Sequence, residues 1–231
     1  MAPKRAPADI RADFDTIARL SPAGSRLDAL TRRLLRHLPA RCGEVLEIGC
    51  GTGETTRFVA DRASHVAALD LSPEMVRIAR ERSSGISNVE YHVADAVAWD
   101  YPEARFDAVV SIATLHHLPC EPTLAAMART LRPGGVLLIL DLLDRSHPRY
   151  LPLNALALLP LAWSRLRGLD AQSTALRRAY QDHGAHDVYL RPREARDLFA
   201  RHLPGARVRH HLRWRYSVVW RNPGKRAGAT G

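Results

Sequence analysis

The sequence predicts an α/β fold whose sheet is mostly parallel and covered by helices on both faces. Short apolar runs alternate with stretches of helical periodicity from about residue 41 to residue 142, which is the pattern of parallel strands joined by right-handed crossovers. The first three apolar runs lead to Gly49, Asp70 and Asp95, so we expect a ligand to bind beyond the carboxyl ends of these strands. With 46% hydrophobic and 25% charged residues among 231, the chain can build one core domain with an insertion.

Two helices are predicted ahead of the first strand. Residues 1–8 are rich in proline and alanine and are expected to form a loose tail. Apolar residues at helical spacing predict an amphipathic helix over residues 9–20. Leucines on one face predict a second helix over about residues 25–38. Residues 1–40 therefore form a helical segment that precedes the sheet.

The stretch EVLEIGCGTG at residues 44–53 predicts a buried strand that turns on glycines into a helix. The alternating glycines let the backbone turn tightly and approach a bound small molecule. A dinucleotide fingerprint would need a glycine at position 54, where the chain has Glu54, an unfavourable charge beside a pyrophosphate. A P-loop is excluded because no Gly-Lys-Ser or Gly-Lys-Thr follows. The turn is therefore either a cradle for another cofactor or an ordinary connection between strand and helix.

The second predicted strand ends in an acidic residue. Residues 65–70 form this apolar run, and Asp70 lies 19 residues beyond Gly51. A carboxylate at this position of a parallel sheet can accept hydrogen bonds from the hydroxyls of a ribose. Ser72 and Pro73 then predict the cap and the first position of the following helix.

Five ordered segments resemble the signature motifs of the class I S-adenosylmethionine-dependent methyltransferases, in the small-molecule branch that is similar to the ubiquinone and menaquinone biosynthesis enzymes. The segments are EIGCGTG at 47–53, LDLSPEMV at 69–76, VEYHVADA at 89–96, FDAVVSIATLHHL at 106–118 and LRPGGVLLIL at 131–140. The resemblance implies a Rossmann-like three-layer sandwich with a mostly parallel seven-stranded sheet, an antiparallel C-terminal strand and a helical cap insertion. It also implies that the first helix is a candidate lid.

The resemblance further implies S-adenosyl-L-methionine as the cofactor and a small-molecule methyl acceptor. By analogy with the family, Glu47 would orient the methionine ammonium, Asp70 would hold the ribose and Asp95 the adenine amino group. Ser111 would contribute its backbone carbonyl, and Cys50 is expected to be a small filler between glycines. The implied cofactor-binding residues are Glu47, Gly49, Cys50, Gly51, Gly53, Asp70, Leu71, Met75, Asp95, Ala96, Ser111 and Ile112.

His116 and His117 are the candidate catalytic residues. They follow the fourth strand, on the loop where the family places the reactive methyl group. Methyl transfer expels a neutral thioether, so a base is needed only if the acceptor must lose a proton, as a phenol does. Either histidine could be that base. The alternative interpretation is that both pack the loop and cap the helix beyond Pro119.

The alternating pattern ends after the fifth strand. Residues 143–184 are predicted to form an inserted helical cap, with a polar helix from about residue 170 to residue 183. Residues 150–163 are almost wholly apolar but are interrupted by Pro152 and Pro160, which prevent one long helix. Three uses of this segment remain open: a roof that selects an apolar or amphipathic acceptor, a dimer contact, or a shallow contact with a membrane surface.

Residues 185–222 are predicted to complete the sheet. A helix is expected from about residue 191 to residue 202. In residues 206–222 the even positions are mostly apolar and many odd positions are arginine, a period of two that predicts a hairpin with one buried face. No glycine or proline marks its turn. Residues 223–231 are expected to be a disordered tail.

The charge of the chain bears on its partners. The formal net charge is +10, and all but Lys4 and Lys225 of the 34 basic residues are arginines. No basic run exceeds two residues, so the bias favours a coding preference over a nucleic-acid footprint, and a basic binding face is kept as a second hypothesis. The three cysteines lack zinc spacing, and we expect no metal site. Neither a secretory signal nor a membrane-spanning run is recognised, so we expect a cytoplasmic monomer or homodimer.

Two other functions stay open. An RNA methyltransferase would explain the positive charge, yet the sequence has no N-P-P-Y-type motif after the fourth strand, no catalytic cysteine pair and no appended RNA-binding module. A non-catalytic cofactor-binding protein of the same fold would tolerate the loss of the glycines or of Asp70, and this chain has kept both. The main interpretation is O- or C-methylation of a small molecule.

Overall fold

The protein is built around a seven-stranded sheet with the strand order β3-β2-β1-β4-β5-β7-β6. The structure is a computed structural model and describes residues 6–22, 26–144, 173–185, 187–212 and 214–224. The strands are β1 (Cys42–Ile48), β2 (Ala63–Asp70), β3 (Val89–Val93), β4 (Phe106–Ile112), β5 (Leu131–Leu142), β6 (Arg207–His211) and β7 (Arg215–Arg221). Strands β1 to β5 are parallel, and β7 runs antiparallel to both of its neighbours. The predicted fold class is therefore confirmed.

Helices lie on both faces of the sheet. They are α1 (Pro7–Leu20), α2 (Ala29–Leu35), α3 (Glu54–Ala60), α4 (Pro73–Arg82), α5 (Cys120–Thr130), α6 (Thr174–Gly184) and α7 (Pro192–His202), with one turn of 3₁₀ helix at Leu115–His117. Helix α2 is shorter than predicted because the Asp28 carboxylate accepts a hydrogen bond from the backbone N–H of Thr31 and so starts the helix at Ala29. Strand β2 begins at Ala63, two residues ahead of the predicted first residue His65.

The hydrophobic core has two halves, one on each face of the sheet. Leu46 of β1 packs in the half that contains Met127 of α5 and Phe199 of α7. Its neighbour Val45 packs in the half that contains Leu35 of α2. Successive side chains of a strand point to opposite faces, so an almost continuous apolar run is needed to fill both halves. This requirement explains why the central strands have no polar face.

The C-terminal hairpin differs from its prediction in one respect. One buried face was expected, but Val218 and Val219 of β7 are both buried, because β7 lies inside the sheet between β5 and β6. Leu212, predicted on the apolar face, is 51% exposed in the turn of the hairpin. The period of two identified the strands but did not reveal that a second layer covers β7.

Part of the predicted cap lies outside the described residues. The apolar segment at residues 150–163, with its three proposed uses, lies in this part. Residues 225–231 of the predicted tail also lie outside the described residues. The second half of the cap is described as helix α6, which packs against α1. No helix within the described ranges combines the length and the apolar character that crossing a membrane requires.

Candidate functional site

A cavity of about 400 Å³ lies at the carboxyl ends of the first four strands. Gly49 follows β1, Asp70 ends β2, Asp95 follows β3 and Ile112 ends β4. Helices α1 and α6 contribute apolar and aromatic side chains to the lining. The residues that line the cavity are Pro7, Ile10, Phe14, Gly49, Gly51, Leu69, Asp70, Leu71, Met75, Ala94, Asp95, Ala96, Val97, Ile112, Ala113, Thr114, His117, Leu118, Pro119 and Tyr180. The position agrees with the rule that ligands of open α/β sheets bind beyond the strand ends.

The glycine turn presents bare backbone to this cavity. Gly49 has φ +76° and Gly51 has φ +53°, a left-handed conformation that other residues rarely adopt. A Cβ atom at Gly49 would lie 2.0 Å from Thr114 Oγ1, whereas a Cβ atom at Gly51 would meet nothing within 4 Å. The space beyond Gly51 is therefore open, as a cradle for a ligand requires. Gly53 does not line the cavity, and a Cβ atom there would lie 2.7 Å from the hydroxyl of Tyr91.

Asp70 holds the glycine turn in place. Its Oδ2 accepts a hydrogen bond from the backbone N–H of Gly51 at 2.8 Å, and its Oδ1 accepts one from the N–H of Ser72 at 2.9 Å. Burial raises the pKa of Asp70 to about 6, although both backbone N–H groups favour the ionised form. The backbone of Leu71 also favours the ionised form. A carboxylate can accept about four hydrogen bonds, so capacity remains for a ligand hydroxyl.

Asp95 lies across the cavity from the glycine turn, after β3. Its Oδ1 accepts a hydrogen bond from the backbone N–H of Val97 at 2.8 Å. Ala96, Leu71 and Met75 line the same cavity. The cavity therefore offers one carboxylate at each of two neighbouring strand ends, with apolar side chains between them.

Three other predicted residues lie behind the cavity wall. Cys50 is buried against Val76 and Tyr91, as expected for a filler. The side chain of Ser111 is buried, and its hydroxyl has no hydrogen-bond partner among the described residues. Glu47 is 1% exposed, and its Oε2 accepts a hydrogen bond from Thr56 Oγ1 at 2.6 Å.

The carboxyl group of Glu47 has a strongly shifted pKa. Burial raises this pKa to about 8, the hydrogen bond from Thr56 opposes the shift, and the negative charges of Asp70 and Glu54 add to it. Without a cation beside it, Glu47 is therefore protonated at neutral pH. A ligand ammonium close by would favour the ionised form instead.

We expect Glu47→Gln to flatten the dependence of stability on pH. The folded protein keeps the Glu47 proton to a higher pH than the unfolded chain, so this group stabilises the fold fully below the unfolded pKa of 4.5, and the contribution is lost as the pH rises towards 8. Relative to the wild type, the variant should gain about 3 kcal/mol in free energy of unfolding between about pH 4.5 and about pH 7. Urea denaturation at a series of pH values measures this difference.

Glu103→Gln is the matched control for that experiment. The side chain of Glu103 is 76% exposed, so its substitution should shift the stability curve by little at any pH. Parallel curves for the wild type and Glu47→Gln would contradict the raised pKa of Glu47.

A group of histidines and aspartates packs together beside the cavity, and His117 is its member in the cavity lining. We call it the histidine cluster, and it consists of Asp13, His116, His117, Asp141, His183 and Asp187. His116 Nδ1 lies 2.6 Å from Asp141 Oδ1, and the backbone N–H of His116 donates to Asp141 Oδ2 at 2.8 Å. His183 Nδ1 lies 2.9 Å from Asp13 Oδ2. The contacts of His116 join the loop after β4 to β5, and the contact of His183 joins α6 to α1.

Asp187 occupies the middle of the histidine cluster. Its Oδ1 lies 3.4 Å from His117 Nδ1, and its Oδ2 lies 3.7 Å from His116 Nε2 and 3.6 Å from His183 Nε2. Burial alone would raise the pKa of Asp187, but the hydrogen bond from His117 and the neighbouring imidazoles lower it below its usual value. The ligand atoms of His116, His117 and Asp187 lie within 4.8 Å of one another, a spacing that could also hold a metal ion and that the sequence did not indicate.

His117 is the histidine of this cluster that lines the cavity. Burial lowers its pKa, as do the positive charges that His116 and His183 can carry, whereas Asp187 acts in the opposite direction. The imidazole is therefore neutral at neutral pH and able to accept a proton. His116 lies behind it, with its ring against Asp141.

Four residues of the histidine cluster were missed from the sequence. Asp141 gave a usable signal, because it follows the apolar run of β5 in the same way that Asp70 ends β2. Asp13, His183 and Asp187 gave none. His183 and Asp13 are 170 residues apart in the chain, and only the packing of α6 against α1 brings them together.

Comparison with known proteins identifies a domain that contains part of this site. Residues 45–135 match the family model described as a methyltransferase domain. The chain is 36% identical over 147 residues to 27-O-demethylrifamycin SV methyltransferase of Amycolatopsis mediterranei, which covers 61% of this chain and 53% of that protein. It is 36% identical over 107 residues to demethylmenaquinone methyltransferase of Tropheryma whipplei, covering 46% and 43%. The chain thus spans about half the length of these curated relatives.

Solved structures agree on the fold. The N-methyltransferase NodS of Bradyrhizobium japonicum, in complex with S-adenosyl-L-homocysteine, aligns with a TM-score of 0.60 over 91% of this chain and 98% of that one, at 18% sequence identity. At this level of identity the likeness concerns the architecture alone.

Proposed function

Since residues 45–135 are a methyltransferase domain of the class I S-adenosylmethionine-dependent family, we propose that the protein methylates a small, apolar or amphipathic molecule on oxygen or carbon. The observation that carries this proposal is the open glycine turn at Gly51, which lies in one cavity with the carboxylates of Asp70 and Asp95. The bare backbone at Gly51 would leave room for the cofactor. The carboxylates of Asp70 and Asp95 would accept hydrogen bonds from its ribose and from its adenine.

The residues present fit S-adenosylmethionine. Gly49 and Gly51 would let the methionine portion approach the backbone, with nothing within 4 Å of the position where a Cβ atom of Gly51 would stand. Asp70 would hold the ribose hydroxyls through its remaining lone pairs. Asp95 would accept a hydrogen bond from the adenine amino group, with Leu71 and Ile112 on the cavity wall.

Glu47 would orient the ammonium of the methionine portion. Because it lies behind the wall of the cavity, it would act through a bridging water. A nearby cation would also draw the proton from its carboxyl group, whose pKa is about 8 in the free protein. The backbone carbonyl of Ser111 would add one more contact, and Cys50 and Gly53 would support the glycine turn from behind the cavity wall.

S-adenosylmethionine supplies an electrophilic methyl group with a neutral thioether as the leaving group. The chain's own task is then to align the acceptor and to exclude water, and such positioning can contribute on the order of 7 to 11 kcal/mol to a reaction of two bound molecules. Ile10, Phe14 and Tyr180, from α1 and α6, line the cavity with largely apolar surface. This lining supports an apolar or amphipathic acceptor.

His117 is the residue that we propose as general base. It lines the cavity, its imidazole is neutral at neutral pH, and Asp187 lies 3.4 Å from its Nδ1 to hold the ring. Its Nε2 lies 3.4 Å from His183 Nε2 and would exchange this contact for the acceptor. A phenolic or enolic acceptor would lose its proton to this imidazole as the new bond to carbon forms. His116 would act behind it, as a positioning residue held by Asp141.

We expect S-adenosylmethionine and S-adenosylhomocysteine to bind in titration calorimetry and NAD to give no heat. The physical reason is Glu54, which follows the glycine turn where a pyrophosphate would need a helix start free of negative charge. Binding of NAD with an affinity equal to that of S-adenosylmethionine would contradict the proposal. Transfer of a labelled methyl group to fractions of a cell lysate would then identify the acceptor.

A further inference from the structure

A second, smaller cleft lies between α2 and the C-terminal hairpin, away from the main cavity. Its basic members are Arg33 and His37, at and just beyond α2, and Arg207, Arg209 and His211 of β6. We call it the arginine cleft. Leu30, Leu34 and Val219 also line it, and it shares no lining residue with the main cavity. The cleft therefore belongs to no step of the proposed methyl transfer.

The positive charges of the arginine cleft are not balanced by carboxylates in the part of the chain that the structure describes. Within the described parts of the chain, no carboxylate forms an ion pair with Arg33, Arg207 or Arg209. Asp28, which caps α2, is already engaged by Arg215. Like charges held close together repel one another, and all three arginines are exposed, so an anion from solution can reach them and reduce this repulsion.

The positive charges of the neighbouring arginines act together on the imidazole of His37. Its pKa is lowered first by burial and then by the charges of Arg207, Arg209, Arg221 and Arg33. The guanidinium groups come from three elements, α2, β6 and β7, and all act on the same imidazole. An anion in the cleft would be attracted by the same four groups.

We propose that the arginine cleft binds a phosphate-type oxyanion, either a small phosphate ester or a diphosphate. A guanidinium presents two parallel N–H groups, which match two oxygens of a phosphate. The apolar floor formed by Leu30, Leu34 and Val219 strengthens such an interaction by lowering the local dielectric constant.

The size of the cleft favours a small anionic group. Its volume is about 30 Å³, which is the space of two or three water molecules at about 10 to 15 Å³ each. This space is too small for a nucleobase or an aromatic ring, so a phosphate group would be held at its mouth by the arginines. The ligand would therefore be recognised by its phosphate, with the rest of the molecule outside the cleft.

Inorganic pyrophosphate is the probe for this site. Titration calorimetry at low salt should show saturable binding of one pyrophosphate to the wild type. The double variant Arg207→Gln/Arg209→Gln should bind at least about tenfold more weakly, because charge-assisted hydrogen bonds are lost. Arg33→Gln, on a different element, should weaken binding in the same direction and guards against a folding defect in the hairpin.

The double variant Arg193→Gln/Arg196→Gln is the matched control. Both arginines are exposed on α7, so the control loses the same net charge at another place and should bind pyrophosphate as the wild type does. Equal weakening in the control, or no saturable binding to the wild type, would overturn the proposal. A single-stranded RNA oligonucleotide and vesicles containing phosphatidylglycerol are tested as alternative ligands. Binding of either one without binding of pyrophosphate would also overturn the proposal.

Discussion

Gly51→Arg is expected to abolish the binding of S-adenosylmethionine while leaving the protein folded. Gly51 lines the main cavity, and nothing lies within 4 Å of the position where its Cβ atom would stand. An arginine side chain would therefore fill the space that the proposed cofactor needs, without meeting protein atoms first. Titration calorimetry should give no heat with this variant under conditions in which the wild type saturates.

Gly85→Arg separates this steric effect from backbone strain. Gly85 also has a positive φ, +96°, and also has nothing within 4 Å of a Cβ atom, but it does not line the cavity. Both variants place arginine in a left-handed conformation, at a cost of about 1 kcal/mol or somewhat more. The control should bind S-adenosylmethionine as the wild type does. If Gly51→Arg bound S-adenosylmethionine with the affinity of the wild type, the cofactor could not be bound at the glycine turn.

His117→Ala is expected to lower turnover by roughly 10²- to 10⁴-fold, the usual contribution of a positioned general base, and to leave the affinity for S-adenosylmethionine unchanged. The wild-type rate should also carry the signature of this histidine in its dependence on pH. The pKa of His117 is lowered from 6.5, so the neutral, proton-accepting form persists below this pH. Turnover should therefore stay constant down to pH values below about 6.5 and fall only under more acidic conditions.

His65→Ala is the control for loss of an imidazole. His65 lies in β2 near Glu90, outside the cavity lining, and its loss should leave turnover within about twofold of the wild type. Treatment with a chelator adds a second check, because the histidine cluster has the spacing of metal ligands. Full activity of His117→Ala would show that the imidazole only packs the loop. Loss of activity with the chelator would indicate that a metal ion, and not a histidine base, is required for the reaction.

The lowered pKa of His117 also affects how the stability of the fold depends on pH. A histidine whose folded pKa is depressed favours the neutral form in the native state, so protonation destabilises the fold as the pH falls below the unfolded value of 6.5. The Glu47 contribution has the opposite sign, because its folded pKa is raised. Protonation of His117 therefore lowers the stability at acidic pH, and ionisation of Glu47 lowers it as the pH rises.

The sequence by itself determined the parts of the site that local backbone geometry creates. The run before Gly49, the positive φ values at Gly49 and Gly51, and Asp70 at the end of β2 all belong to one strand-turn-helix-strand unit. Parallel strands bring their carboxyl ends to one edge of the sheet, so a residue pattern alone was enough to expect Asp70 and Asp95 together. The same local rules predicted the strand and helix types, apart from shifts at their ends.

Only the tertiary structure decided which of these residues line the cavity and which side chains from other elements surround it. Glu47, Cys50 and Gly53 stand within the first motif, yet they lie behind the cavity wall because their neighbours in β2, α3 and α4 cover them. The histidine cluster and the arginine cleft have no sequence signal as units. Their members come from elements far apart in the chain, and their contacts depend on which helices the folded sheet packs together, an outcome of long-range burial that no local pattern encodes.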